Sequence, residues 1–115
     1  MYKRQKIDRD DDIIITGKQH DFYSDYEVGF SDKGIIEGVK IKLISRCGIS
    51  PDLSGPINAR ALLHIDNAYY LSDLAVENYL CKTNTSSSTA FRGFGGNQGM
   101  MVIENIVDNL SLIHI

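Results

Sequence analysis

Cysteine, proline and tryptophan are scarce in this sequence of 115 residues, which has two, two and none of them, respectively. Cys47 and Cys81 lie far apart and outside any CxxC motif, which excludes a disulfide framework, a zinc ribbon or an iron–sulfur site contained within this chain. The net charge of −3 excludes the basic surface that nucleic acid requires. No apolar run approaches the roughly 20 residues of a membrane span, and the polar residues 1–12 predict no secretory signal. We therefore expect a reducing, cytoplasmic setting.

The remaining composition is typical of a globular protein, with 43% hydrophobic and 23% charged residues. A chain of this length allows one small domain or a piece of a larger one. Surface scaling gives about 6,300 Å² for the folded chain and about 18,600 Å² for the unfolded one, so a hydrophobic core is possible.

Alternating apolar residues predict a β layer in the first part of the chain. The β-branched run at residues 13–16 predicts a short strand. Residues 26–30 predict a second strand, and the Asp-Lys-Gly sequence at 32–34 predicts a turn. Residues 35–43 continue the alternation, so the runs on either side of this turn are expected to form a hairpin.

The second part of the chain changes to helical periodicity. Ser54 is suited to cap a helix, and Pro56 is suited to its first turn. One apolar stripe is predicted on this helix, made of Ile57, Ala61, Ile65 and Ala68. Residues 74–79 predict another strand, and a second helix is expected to begin at Asn97 as N-cap. The pattern predicts an α+β fold, with a mixed sheet or hairpin layer and two helices.

The long Thr-, Ser- and Gly-rich segment at residues 82–99 is the strongest candidate for a functional site, because structureless segments of this length are usually functional. Four of the seven residues 93–99 are glycine, which favours unusual backbone geometry or close approach of a ligand. Arg92 and Gln98 add hydrogen-bond donors, and Phe91 and Phe94 add flat apolar faces. From composition alone, a glycine-rich turn with aromatic packing explains the segment equally well.

A second candidate group comprises Arg60, His64 and Asn67, at the edge of the apolar stripe. Arg60 is either a structural side chain, which lies along the apolar surface or pairs with a carboxylate, or a half-buried cation available to an electron-rich or anionic ligand. His64 has no second metal-binding residue at useful spacing, so it is expected to be structural. His20 follows a Thr-Gly-Lys sequence that lacks the upstream glycine of a phosphate-binding loop, so His20 is expected to be structural. Cys47 is expected to be a small buried residue.

Several of these segments resemble the molybdopterin-binding subunit of xanthine dehydrogenase, a member of the molybdenum hydroxylase family. The strongest motif is TAFRGFGG at 89–96, followed by Gln98-Gly99. Further segments that resemble family motifs, in the same order, are TGK at 16–18 with His20, DLSGP at 52–56, Arg60-Ala61, HIDNAY at 64–69 and CKTN at 81–84. The resemblance as a whole covers residues from about 8 to 104.

The resemblance implies that residues 1–115 are a partial molybdopterin-binding domain, an internal fragment of a large enzyme truncated at both ends. Such an enzyme hydroxylates an electrophilic ring carbon of a purine, converting hypoxanthine or xanthine to urate, with a glutamate as general base. The implied cofactor is molybdenum–molybdopterin, with a 2Fe-2S cluster and FAD bound elsewhere in the complete enzyme. The implied partners are the purine substrate, the remaining catalytic domain, and the iron–sulfur and FAD subunits or domains.

The resemblance also assigns roles to individual residues. Arg92 corresponds to the loop arginine that contacts the molybdenum centre, Phe94 to the ring that packs on the purine, and Arg60 to the arginine that holds the substrate. The implied cofactor-binding residues are Arg92, Gly93, Gly95, Gly96 and Gln98. Asn97 stands where the family usually carries proline, and either residue can begin a helix.

The family's general-base glutamate has no counterpart in this sequence, so no catalytic residue is assigned and the 115 residues alone are expected to be inactive. A fragment of a related aldehyde or N-heterocycle oxidoreductase is one alternative. A structural or assembly module, with Arg60 and Arg92 in salt bridges, is another. Arg60 favours the purine enzyme, because an aldehyde has no charged ring for a guanidinium to meet. Residues 110–115 continue the last helix without a cap, which indicates truncation or a non-native tail.

Overall fold

A computed structural model of the chain describes residues 4–114. In chain order the described elements are α1 Arg9–Ile15, β1 Phe22–Phe30, β2 Ile36–Gly48, α2 Ser54–Leu63, β3 Leu74–Lys82 and α3 Gly96–His114. The predicted α+β class is confirmed, as are the strands at 26–30 and 74–79. The helix α1 is additional to the two helices that the sequence predicts.

The predicted strand at residues 13–16 is wrong, because this segment forms the end of helix α1. Asp10, Asp11 and Asp12 lie in the first turn of α1, where negative charge is favoured by the helix dipole. The Thr16 hydroxyl donates to the Asp12 carbonyl at 2.8 Å and closes the helix. The three isoleucines of this run are each more than half exposed. A β-branched run is stable as a strand only when another strand pairs with it, and none of the described strands does so.

The three strands form one mixed sheet in the order β1-β2-β3. Strands β1 and β2 are antiparallel, which confirms the predicted hairpin, and its turn is closed by the Ser31 N–H donating to the Ile35 carbonyl at 2.9 Å. Strands β2 and β3 are parallel. Parallel strands require a crossover connection, and here α2 lies within it.

The hydrophobic core lies between one face of the sheet and the helices α2 and α3. It consists of Val39, Ile41 and Leu43 from β2, Ala61 and Ile65 from α2 and its C-terminal flank, and Val102, Ile103 and Ile106 from α3. Three residues of the predicted stripe, Ile57, Ala61 and Ile65, are buried. Ala68 is exposed, contrary to prediction, because α2 ends at Leu63 and the chain leaves the helical path before Ala68.

Neither predicted helix cap is observed. Ser54 is the first residue of α2 and its hydroxyl contacts His20, so Leu53 occupies the N-cap position without a side-chain cap. Pro56 lies in the first turn, as predicted. Helix α3 begins at Gly96, which places Asn97 inside the helix instead of at its cap. Capping predictions fail here because tertiary contacts hold both helix starts.

The fold leaves much surface exposed. Its accessible surface is 8335 Å², against about 6,300 Å² expected for a compact chain of this mass. The radius of gyration is 17.9 Å, whereas about 13 Å is typical of a compact domain of this length. Among residues 4–114, no helix is long and apolar enough to cross a lipid bilayer.

Candidate functional site

The segment between β3 and α3 is ordered by hydrogen bonds to distant parts of the chain. The Ser88 N–H donates to the Cys47 carbonyl at 3.0 Å, and the Thr89 N–H donates to the Lys18 carbonyl at 2.8 Å. The Thr89 hydroxyl donates to a carboxylate oxygen of Asp52 at 2.9 Å. Lys18, in the Thr-Gly-Lys segment, and Asp52, just before α2, therefore hold Thr89, which forms part of the approach to the glycine-rich stretch. No local sequence pattern predicts that these segments meet.

We call residues 91–96 the glycine loop. Its backbone is folded by two consecutive short-range hydrogen bonds, from the Phe94 N–H to the Phe91 carbonyl at 2.9 Å and from the Gly96 N–H to the Gly93 carbonyl at 3.0 Å. Phe94 has φ +47, a left-handed conformation that is uncommon for a residue with a side chain. Such strained residues cluster at ligand sites, where the surrounding structure enforces them.

Gly95 and Gly99 bring α3 against the backbone of α2. A Cβ atom on Gly95 would lie 2.1 Å from the Ile57 carbonyl oxygen, and one on Gly99 would lie 2.1 Å from the Ala61 carbonyl oxygen. Side chains cannot fit at either position, and Gly95 also has φ +89. This close approach fixes the glycine loop beside the helix that carries Arg60.

Arg60 extends along α2 to the start of α3. A Cβ atom on Gly96 would lie 3.7 Å from Arg60 Nε and 3.4 Å from His64 Cδ2, so both side chains border the glycine loop. His64, predicted to be structural, is exposed and contacts Gly96. The third member of that predicted group, Asn67, lies apart from the loop and donates to Glu104 at 2.7 Å.

The two arginines of the candidate site have no carboxylate partner within residues 4–114. The ion pairs of this part of the chain are formed by Lys18, Lys40 and Arg46. Arg92 is exposed on the glycine loop, close in sequence to exposed Phe91 and half-buried Phe94. Salt bridges to the described residues therefore do not account for Arg60 or Arg92.

Gln98, in the first turn of α3, contacts His20. Its amide Nε2 donates to the His20 carbonyl at 3.3 Å, and its Oε1 is buried without a hydrogen-bond partner among the described residues. The His20 ring is 3% exposed and its Nε2 lies 2.7 Å from Ser54 Oγ. His20 is thus a buried structural residue, as predicted, and Cys47 is also buried as predicted.

Burial lowers the pKa of His20, and the charge of Asp52, the backbone of Thr89 and the charge of Asp21 oppose this effect. The ring is therefore uncharged at neutral pH. The neutral ring can either accept from the Ser54 hydroxyl or donate to it through Nε2, and in both tautomers one hydrogen bond joins the two side chains at 2.7 Å.

The described residues contain no group of three or more His, Cys, Asp and Glu that could hold a metal ion. The glycine loop instead presents two features that suit an anionic ligand. One is the exposed Arg92 guanidinium, and the other is the N-terminus of α3, where the first N–H groups lack intrahelical acceptors.

Comparison with known proteins identifies relatives of the whole chain. A family model described as the molybdopterin cofactor-binding domain matches residues 4–112. Xanthine dehydrogenase/oxidase of Gallus gallus is 45% identical over 108 residues, and xanthine dehydrogenase of Drosophila subobscura is 43% identical over 110. The matches cover 94% and 96% of this chain and 8% of each relative. The chain thus spans a small part of the length of these relatives.

The fold also has a counterpart among solved structures. An aldehyde oxidoreductase from Desulfovibrio gigas superposes with a TM-score of 0.70 at 17% sequence identity. The superposition covers 83% of this chain and 11% of that one. The three-stranded sheet with its helices is therefore the fold of a segment within a larger protein.

Proposed function

The chain belongs to the family of molybdopterin cofactor-binding domains, and from this premise we propose that it supplies cofactor- and substrate-contacting residues to a purine-oxidising molybdenum hydroxylase. The relatives named above are called xanthine dehydrogenases, which supports a purine substrate. Because the chain spans 8% of their length, the rest of such an enzyme would be its partner, including the parts that bind a 2Fe-2S cluster and FAD.

One observation carries the proposal. Arg60 lies against Gly96 of the glycine loop and forms no ion pair with the described residues. A guanidinium held beside such a loop without a protein anion is available to an electron-rich ligand. In a purely structural module, the Arg60 guanidinium would be expected to pair with a carboxylate of the same chain.

The residues of the glycine loop fit the proposed cofactor. Molybdenum–molybdopterin, when bound, would supply the redox chemistry that hydroxylates an electrophilic ring carbon. Arg92 would contact the metal centre through its guanidinium, while Gly93, Gly95 and Gly96 would allow close approach to the backbone. Gln98 would contribute from the first turn of α3, although its Nε2 is already bound to the His20 carbonyl.

Two side chains would hold the substrate. Phe94 offers an aromatic face on which a purine can stack. Arg60 offers donors for the exocyclic oxygens of a purine, and its fixed charge would stabilise negative charge that develops on the heterocycle during reaction. The general base would come from another part of the enzyme.

The proposal is tested by purifying the full-length protein and measuring its molybdenum content and its turnover of xanthine and of an aromatic aldehyde. We expect bound molybdenum and higher kcat/KM for xanthine. Turnover of the aldehyde without turnover of xanthine would favour the related aldehyde oxidoreductases. A folded full-length protein without molybdenum would contradict the proposal.

Replacing Phe94 with alanine in the full-length protein should lower kcat/KM for xanthine about tenfold and leave molybdenum bound. A stacking contact contributes roughly 0.5–1.5 kcal/mol beyond the burial of surface, and the upper end of this range corresponds to a loss of about tenfold. Phe91→Ala is the matched control, since Phe91 belongs to the same loop and is 63% exposed. Unchanged kinetics for Phe94→Ala with full molybdenum content would exclude the stacking role.

A further inference from the structure

The segment around His20 lies between the two helices that form the candidate site. Its side chain contacts Ser54, the first residue of α2, at 2.7 Å. Its main-chain carbonyl accepts from Gln98, in the first turn of α3, at 3.3 Å. Two residues earlier, the Lys18 carbonyl accepts from the Thr89 N–H at 2.8 Å. One short segment therefore contacts the start of α2, the start of α3 and the approach to the glycine loop.

We infer that His20 is a positioning residue, which fixes the glycine loop relative to the helix that carries Arg60. The inference rests on the proposed function for what the loop binds, but the positioning itself is a property of this chain. His20 touches neither the proposed cofactor nor the proposed substrate, and it acts through Ser54 and Gln98.

The hydrogen bond between His20 and Ser54 is buried, which makes its loss costly. His20 is 3% exposed and Ser54 is fully buried, so water cannot replace their hydrogen bond if one partner is removed. The uncharged ring is hydrogen-bonded to the Ser54 hydroxyl, while Asp52, two residues before Ser54, accepts from the Thr89 hydroxyl. The His20 segment and the segment that leads into the glycine loop are therefore both attached to the start of α2.

Another geometric feature supports a role in alignment. Gly95 and Gly99 leave no room between α2 and α3, so a small shift of either helix start would change the contact between Arg60 and Gly96. Because the two helices are closely packed, a displacement of one helix is transmitted to the other. A residue that ties both helix starts together controls the relative position of the arginine and the loop.

The test uses the full-length protein with Ser54→Ala, His20→Phe and His20→Gln. The control is Ser45→Ala, because Ser45 is also fully buried and hydrogen-bonded, to the Tyr79 carbonyl at 3.4 Å, but lies within the sheet. Amide hydrogen exchange of residues 89–99 is measured beside the melting temperature, the molybdenum content and the kcat and KM for xanthine.

We expect Ser54→Ala and His20→Phe to speed exchange in residues 89–99 roughly tenfold, because each removes a buried hydrogen bond that opposes local opening. His20→Gln, whose amide offers both a donor and an acceptor near the Nε2 position, should return exchange towards the wild-type rate. Ser45→Ala should lower the melting temperature without selectively speeding exchange in this segment. Kinetically, misalignment should lower kcat more than it changes KM.

Equal exchange in Ser54→Ala and Ser45→Ala, after allowance for their melting temperatures, would overturn the inference. So would a failure of His20→Gln to differ from His20→Phe. These outcomes are separate from a failure of the proposed function. If the enzyme oxidised aldehydes but not purines, the exchange pattern would still show whether His20 positions the loop.

Discussion

Replacing Arg60 with methionine in the full-length protein is expected to lower turnover of a purine by about 10²–10³. This is the usual cost of removing one fixed donor that stabilises charge developing in the transition state. In the proposed role Arg60 would stabilise the transition state more than the bound substrate, so kcat should fall more than binding weakens. Methionine keeps much of the length of the side chain and removes its charge.

The same substitution should spare oxidation of a neutral aromatic aldehyde, which develops no ring charge for the guanidinium to meet. The melting temperature should also be unchanged, since Arg60 is exposed and forms no ion pair with the described residues. Arg46→Met is the control, because Arg46 pairs with Asp21 outside the candidate site. Parallel losses for purine and aldehyde, together with a lower melting temperature, would identify Arg60 as structural.

The second large effect is expected for Gly95→Ala. Its Cβ atom would lie 2.1 Å from the Ile57 carbonyl oxygen, and its φ of +89 disfavours any side chain. Overpacking typically costs about 1–3 kcal/mol, and a left-handed backbone adds roughly 1–2 kcal/mol for alanine. We expect a lower melting temperature, less bound molybdenum and lower turnover of every substrate.

Gly55→Ala provides the matched comparison for that substitution. Gly55 lies in the first turn of α2, and a Cβ atom there would have no neighbour within 4 Å. Alanine favours a helix over glycine by up to about 1 kcal/mol, so this variant should be at least as stable as the wild type. Similar melting temperatures for the two variants would mean that α2 and α3 can move apart at no cost.

The sequence predicts the elements of this fold where their periodicity is local. Val39, Ile41 and Leu43 alternate with polar residues, and β2 buries them as expected. The run at 13–16 misleads because a strand depends on a partner strand, whereas three aspartates in sequence favour the start of a helix. The N-cap prediction for Ser54 fails because its hydroxyl contacts His20, which is remote in sequence.

In the candidate site too, local sequence patterns predict some features, whereas others depend on tertiary packing. The glycine content of residues 93–99 is visible in the sequence and marks an unusual backbone, and φ is positive at Gly93, Phe94 and Gly95. The position of Arg60 against Gly96 depends on how closely α2 approaches α3, which no local pattern reports. The contact between Gln98 and the His20 carbonyl is likewise a product of tertiary packing.

The mixed sheet has a consequence for the order in which the chain folds. The β1–β2 hairpin joins neighbours through a short turn, whereas pairing of β2 with β3 must wait for a crossover that contains α2. Loop closure over a longer separation is slower, so we expect the hairpin to form before β3 docks. The glycine loop follows β3, and Thr89, which leads into it, needs contacts from Lys18 and Asp52, so we expect the loop to be ordered last. A ligand bound there would stabilise the most recently formed part of the molecule and would oppose the first step of its unfolding.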